Sequence, residues 1–182
     1  MERMLAVMAD NPPAACAGLI AMVCLASWPL FRTRSMMLFI YTGNSLAFVL
    51  HYALLQHWTA VAMNGLIAAQ TVAAIGLVRY PRLRLAYFGM MPVMIDVAYL
   101  TWQGSPSFLS AAATALSTLG RIQGREIVLR TLLLASTPLW AWHDLVVGSL
   151  PGLIADLLSM TIGATMLLRR LSAVNASAPA RA

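Results

Sequence analysis

The chain contains no lysine, and only 6 of its 182 residues are acidic. Charged side chains make up 10% of the whole against 60% hydrophobic, with a mean hydropathy of +0.77. Soluble globular domains carry about 25% charge, so that class is excluded. The net charge of +6 is not matched by any long basic stretch interleaved with aromatics, which argues against nucleic acid as a partner. Cysteine is nearly absent. Cys16 and Cys24 fall on one helical segment, roughly 12 Å apart at 1.5 Å per residue, too far for an intramolecular disulfide, and both read as inert core residues. No His/Cys/Asp/Glu group has metal-ligand spacing, no glycine-rich loop is built to cradle phosphate, and neither cysteine has a histidine in register. Neither an enzyme nor a cofactor is expected. The polar interruption Asp10-Asn11-Pro12-Pro13 follows a short apolar stretch without a clear cationic start, a poor signal peptide, so no cleavage is expected.

What the chain has is arginine, in an alternating pattern. Arg32 and Arg34, then Arg79, Arg82 and Arg84, then Arg121, Arg125 and Arg130, then Arg169, Arg170 and Arg181 occupy every second gap between apolar segments, and Arg3 alone lies on the other side. Cationic residues near span ends are retained in the cytoplasm. The pattern predicts a multi-pass protein of the bacterial inner (plasma) membrane, N-terminus outside and C-terminus cytoplasmic. Apolar runs place seven transmembrane helices at 14–31, 36–55, 58–78, 85–102, 106–120, 127–147 and 151–168, most near the roughly 20 residues a bilayer requires. The fifth, rich in Ala, Ser and Thr, is the least apolar; the charge pattern requires it, and small residues suit a helix packed among others. Trp58 and Trp102, with Trp140 and Trp142 near them, are placed in an outer aromatic belt. The tail 175–182 is small and polar and is expected to be disordered.

A repeat shows in spacing more than in identity. His51 precedes Asn64 by the same 13 residues that separate His143 from Asp156. Each histidine ends the second helix of a triplet and each Asn or Asp opens the third. The expected fold is an all-α membrane protein, two parallel three-helix bundles joined by a linker helix (3+1+3), with an axis along the membrane normal. Its parts are an external N-terminal segment 1–13, a first repeat 14–79, a linker helix 80–104, a second repeat 105–170 and a cytoplasmic tail 171–182.

Polar groups inside spans are expensive and are the candidate functional residues. Gly152, Asp156, Ser159 and Gly163 share one helical stripe, and the repeat maps them onto Ala60, Asn64, Ile67 and Thr71. Facing each other across the axis, Asn64 and Asp156, with Asn44, Ser159 and Thr71, are solute-path candidates. Equally, such stripes pack helices closely, with their polar groups bonded across. Asp96, His51 and His143 are the proton-coupling candidates. The histidines and Asp144 also read as hydrogen-bonding groups near the outer surface within reach of interfacial water, and Asp96 as a partner for Tyr87 or Tyr99. Glu126 and Arg130, four apart, are expected to pair on the helix surface. Pro29, Pro92 and Pro138 fall in or at the end of spans, as rocking points or as plain kinks.

The run Pro138-Leu-Trp-Ala-Trp-His143-Asp144, then Gly148-Ser149-Leu150-Pro151-Gly152 and Asp156, resembles the YgjV-like bacterial inner-membrane protein family, whose members have a Trp-x-x-His-Asn-like stretch and then Gly-Ser at this place. His51-Tyr52-x-Leu-Leu and Asn64 agree with it in the first triplet, and Asp144 stands where the family has asparagine. The resemblance covers roughly residues 15 to 170 and implies an inner-membrane location. More distantly, Ser27-Trp28-Pro29, Arg32, Arg34 and Gly43-Asn44 resemble the first repeat of PQ-loop and SWEET proteins, with Leu30 in place of that motif's glutamine and Gly120-Arg121 where a second Pro-Gln would stand. The expected function is that of a small-solute transporter or facilitator with a path between the bundles. The alternative is a non-transporting membrane scaffold, assembly or regulatory protein. The expected partners are the lipid bilayer and a small polar solute, with a homo-oligomer left open.

Overall fold

A computed structural model describes residues 9–77 and 79–177, with side chains as far as 172. From Asn11 onward the described residues form seven α-helices: α1 (Pro12–Ser27), continued by a 3-10 turn at Trp28–Leu30, α2 (Arg34–Leu54), α3 (Trp58–Gly76), α4 (Leu83–Leu100), α5 (Ser105–Arg121), α6 (Glu126–Val147) and α7 (Leu150–Ser177). Each boundary has a local cause. The Asn11 side chain caps α1 by accepting from Ala14 N at 3.2 Å, and Pro12 occupies a position whose missing N–H would be unpaired anyway. Thr33 caps α2 through Met36 N. Gly148, at φ +81°, supplies the left-handed residue that ends α6. Ser149 then caps α7 by accepting from Gly152 N at 3.2 Å.

The seven expected segments and the seven helices agree to within a few residues, except at the end. α7 runs on to Ser177, so 175–177 are helical rather than disordered; the rest of the expected tail, with Arg181, lies outside the described residues, as does Arg3. Five helices are long and apolar enough to cross a membrane: α1 with its 3-10 turn, α2, α3, α4 and α7. α5 and α6 fall short of that measure of length and composition. α6 carries Glu126, Arg130, His143 and Asp144. α5 has only 17 residues and buries a polar stripe of Ser107, Ser110, Thr114, Ser117 and Arg121. Its hydroxyls are satisfied locally, since Ser110, Thr114 and Ser117 donate to Ser107 O, Ser110 O and Thr114 O. Such self-bonding lets a weakly apolar helix sit inside a bundle without unpaired donors.

All seven helices run end to end in alternation. At one end the arginines gather: Arg34 donates to Ala74 O, Arg121 O and Gln123 O, Arg130 to Pro29 O and Phe31 O, and Arg170 lies 3.6 Å from Glu126. At the other end Asn11 donates to Leu54 O, Thr59 meets Thr101 O and Ser107, and His51 meets Ser149. α1 packs on α2 and α7, α2 on α3, α3 on α5, α5 on α6, and α6 on α7. These contacts close a ring of six helices, and α4 lies outside it against α3 and, more lightly, α5. Close approach depends on small residues: Ala14, Ala17, Gly18 and Ala21 form the buried stripe of α1, and a Cβ on Gly18 would fall 2.8 Å from both His51 Nδ1 and Pro151. Large apolar side chains such as Leu19, Val23, Phe39, Leu85, Ile95 and Leu168 point outward around the bundle, an apolar surface suited to lipid. Cys16 belongs to that surface, which corrects its assignment to the core, while Cys24 is half-buried.

Candidate functional site

The ring encloses a narrow cavity between α1–α3 on one side and α6–α7 on the other. Its polar lining is Asn44 from α2, Asn64 from α3, Thr137 and Asp144 from α6, and Asp156 from α7. Trp28, Tyr41, Phe48, Tyr52 and Trp140 supply aromatic walls. The volume open to the centre of a water molecule is about 20 Å³, enough for one or two waters. Tyr41 and Leu133, Phe48 and Trp140, Tyr52 and Asp144, and Asn64 and Asp156 all line it. Each pair has the same separation in sequence as His51 and His143.

Side-chain bonds across the ring close the cavity toward the end that carries the 55–57 and 148–149 turns. His51 Nδ1 lies 2.8 Å from Ala14 O, a group that can only accept, so this nitrogen carries the proton. Its Nε2 is then the acceptor for the Ser149 hydroxyl, 2.8 Å away. Tyr52 donates to Asp144 Oδ1, and His143 Nδ1 approaches the same oxygen at 3.0 Å. Both histidines and Asp144 are buried, which corrects their placement near interfacial water. α1 and the start of α7 cover His51, and Trp140 and Tyr52 flank His143 edge to face. Toward the arginine end, Trp28 Nε1 donates to Ser159 Oγ at 3.0 Å and joins α1 to α7. Trp28 and Tyr41 meet edge to face at 6.1 Å, forming the floor.

Of the sequence candidates, Asn44, Asn64 and Asp156 come together at the cavity, and Ser159, His51 and His143 hold its walls. Thr71 is buried but donates to Ile67 O on its own helix, away from the lining. Asp96 stands exposed on the outer helix α4, outside the ring, and Tyr87 donates to Thr118 O instead. Both expected small stripes, Gly152/Asp156/Ser159/Gly163 and Ala60/Asn64/Ile67/Thr71, are buried throughout. Trp140 is a wall of the cavity, which corrects its place in the aromatic belt; Trp58, Trp102 and Trp142 are exposed. The Glu126–Arg130 pair forms at 2.9 Å, but Arg130 is 3% exposed and ties α6 to the end of α1, so it is no surface pair.

Sequence reading missed Arg121, taken there as one cytoplasmic cation among many. Its guanidinium is fully buried, donates to Ser117 Oγ, Gln70 Oε1 and Thr118 Oγ1, and faces the Tyr41 ring at 6.0 Å. The sequence held a partial signal: Gln70 inside α3, and Ser117 and Thr118 within a turn of the arginine. The aromatic walls left no comparable mark, because Phe, Trp and Tyr are ordinary residues in an apolar helix.

A family model, Imp-YgjV, described as bacterial inner membrane protein, matches residues 14–173. No curated protein and no solved structure matches the chain.

Proposed function

We propose, from the premise that the chain belongs to the Imp-YgjV family of bacterial inner membrane proteins, that it moves a small solute through the cavity at the centre of its helix ring. In this reading α1–α3 and α5–α7 are two parallel bundles related by an axis along the membrane normal, and α4 is the linker that returns the chain across the bilayer. The arginine end faces the cytoplasm and the N-terminus lies outside.

The observation that carries the proposal is the convergence of Asn44, Asn64 and Asp156, from three helices, on one cavity. Polar groups in the apolar interior of a bundle are costly unless they serve a ligand or bond one another. Asn64 donates back to Ala60 O of its own helix, and none of the three bonds another member of the set. Mutual packing therefore does not account for them. The repeated separation of the lining pairs adds support, since two matching halves rocking about a shared site is the common transporter arrangement. The structure has both ends closed, by His51–Ser149 and Tyr52–Asp144 on one side and by Trp28–Ser159 on the other. Asp96, outside the ring, leaves Asp156 as the carboxylate placed to meet a solute.

The alternative of a non-transporting scaffold or regulator draws on the outer helix. α4 has few buried residues and forms an apolar groove with α5 between Met91, Ile95, Trp102 and Phe108, a surface that a partner helix could cover.

The two readings separate on cysteine accessibility in a Cys16→Ser, Cys24→Ser background. Asn64→Cys and Asp156→Cys are expected to react with a water-soluble thiol reagent in intact cells, and cysteines at Leu66 and Leu158 are expected not to. Silence at 64 and 156 in both membrane orientations would leave the scaffold reading in place.

A further inference from the structure

We infer that the solute is a small cation of the ammonium type, a protonated amine held between Asp156 and the aromatic walls; this rests on the solute-path reading above.

The cavity offers carboxyl groups and acceptors without a matching cation. Two carboxylates, Asp144 and Asp156, line it, and no arginine or histidine does. Asp144 is already engaged by Tyr52 and His143. Asp156 is 3% exposed, and among the described residues nothing donates a hydrogen bond to it. Asn44 Oδ1 is likewise buried without a partner. A lone buried carboxylate and an orphaned carbonyl oxygen each cost several kcal/mol by general expectation, on the order of 2–7 for the neutral group alone. Together they form a receptor for something that donates hydrogen bonds and carries positive charge.

The nearby cations are committed elsewhere. Arg130 is held by Glu126, Pro29 O and Phe31 O. Arg121 lies behind Tyr41, bonded to Gln70, Ser117 and Thr118.

The walls choose among cations. Trp28, Tyr41, Phe48, Tyr52 and Trp140 wall the cavity with aromatic rings, and of its oxygen-bearing groups Tyr52 and Asp144 already bond each other. A hard metal ion such as Ca²⁺ takes six to eight oxygen ligands, whereas ring faces attract an ammonium group through their quadrupole. The size of the cavity, about 20 Å³ for water centres, suits ammonium or methylammonium better than a bulky quaternary amine.

The test is a titration of the full-length protein in lipid nanodiscs, read by tryptophan fluorescence, since Trp28 and Trp140 line the cavity, and by thermal unfolding. The probes are ammonium, methylammonium and tetramethylammonium chloride, with sodium chloride and sodium acetate at equal ionic strength. Ammonium or methylammonium is expected to give a saturable fluorescence change and a raised midpoint, and sodium salts neither. Asp156→Asn is expected to weaken the apparent affinity by about tenfold or more, and Asn64→Asp, which adds a second free carboxylate, to strengthen it. A saturable response to acetate, an unchanged affinity in Asp156→Asn, or no response to any cation in the wild-type protein would overturn the inference. Should Asp156→Asn fail to fold, the wild-type titration and Asn64→Asp still decide. Thiol labelling at position 64 keeps the two proposals apart. Labelling without a cation response leaves a path and removes the cation; a cation response with no labelling leaves a closed cation site and removes the path.

Discussion

Replacing Gln70 by leucine is expected to lower the stability of the protein by about 2–3 kcal/mol, the value of a hydrogen bond to a buried charged group. Gln70 Oε1 accepts from Arg121 Nη2 and from Thr118 Oγ1, both at 2.8 Å. The arginine has little to spare. Its Nε already lacks a partner, and among the described residues no carboxylate lies within ion-pair distance. Removing the amide leaves Nη2 with Thr118 alone, in a place water does not reach. Gln70→Glu supplies a carboxylate to the same guanidinium and is expected to hold or raise stability. Denaturant unfolding in mixed micelles measures both. A leucine variant as stable as the parent would mean that Arg121 is hydrated, and its burial would have to be withdrawn.

The second large effect is expected at Gly152. A Cβ there collides with the Asp144 carboxylate and falls 2.7 Å from Ser149 Oγ. Neither group can step aside, because Tyr52 and His143 fix Asp144 and His51 fixes Ser149. Gly152→Ala is therefore expected to cost about 1–3 kcal/mol, the usual range for overpacking. Gly65, inside α3, is the control: nothing lies within 4 Å of a Cβ built there. Gly65→Ala is expected to stabilise by about 0.5–1 kcal/mol through helix propensity. Equal effects at the two positions, read by unfolding midpoint, would contradict the tight closure assigned to the turn end.

Hydropathy and arginine spacing made the helices legible, because both record how a chain meets a bilayer one segment at a time. The boundaries at Trp58, Ser105 and Glu126 lie within a residue of the expected ones. The polar pairs His51/His143 and Asn64/Asp156 were legible too, through a shared spacing, and all four are buried. What stayed hidden depends on neighbours from other helices. Nothing local separates Trp140, a cavity wall, from Trp142, an exposed one two residues on. Counting arginines by side treats Arg121 and Arg125 alike, although one is fully buried and the other is exposed. Asp96 read as a coupling candidate because it is a carboxylate inside a span, but α4 stands outside the ring. The depth of a residue in the membrane is a property of its helix. Whether it faces the cavity or lipid is set by how the helices pack.

If the cavity is a path, a cysteine in place of Asn44 reacts from both faces of the membrane. Asn44 lies midway along α2 and is 4% exposed, so no fixed structure makes it reachable from both faces. Labelling would be followed in right-side-out and inverted membrane vesicles, in the Cys16→Ser, Cys24→Ser background. Reaction from both sides is expected, at rates that fall when a cation occupies the cavity. Reaction from neither side, with a folded protein, would contradict it and leave a dry bundle whose outer helix α4 carries the function.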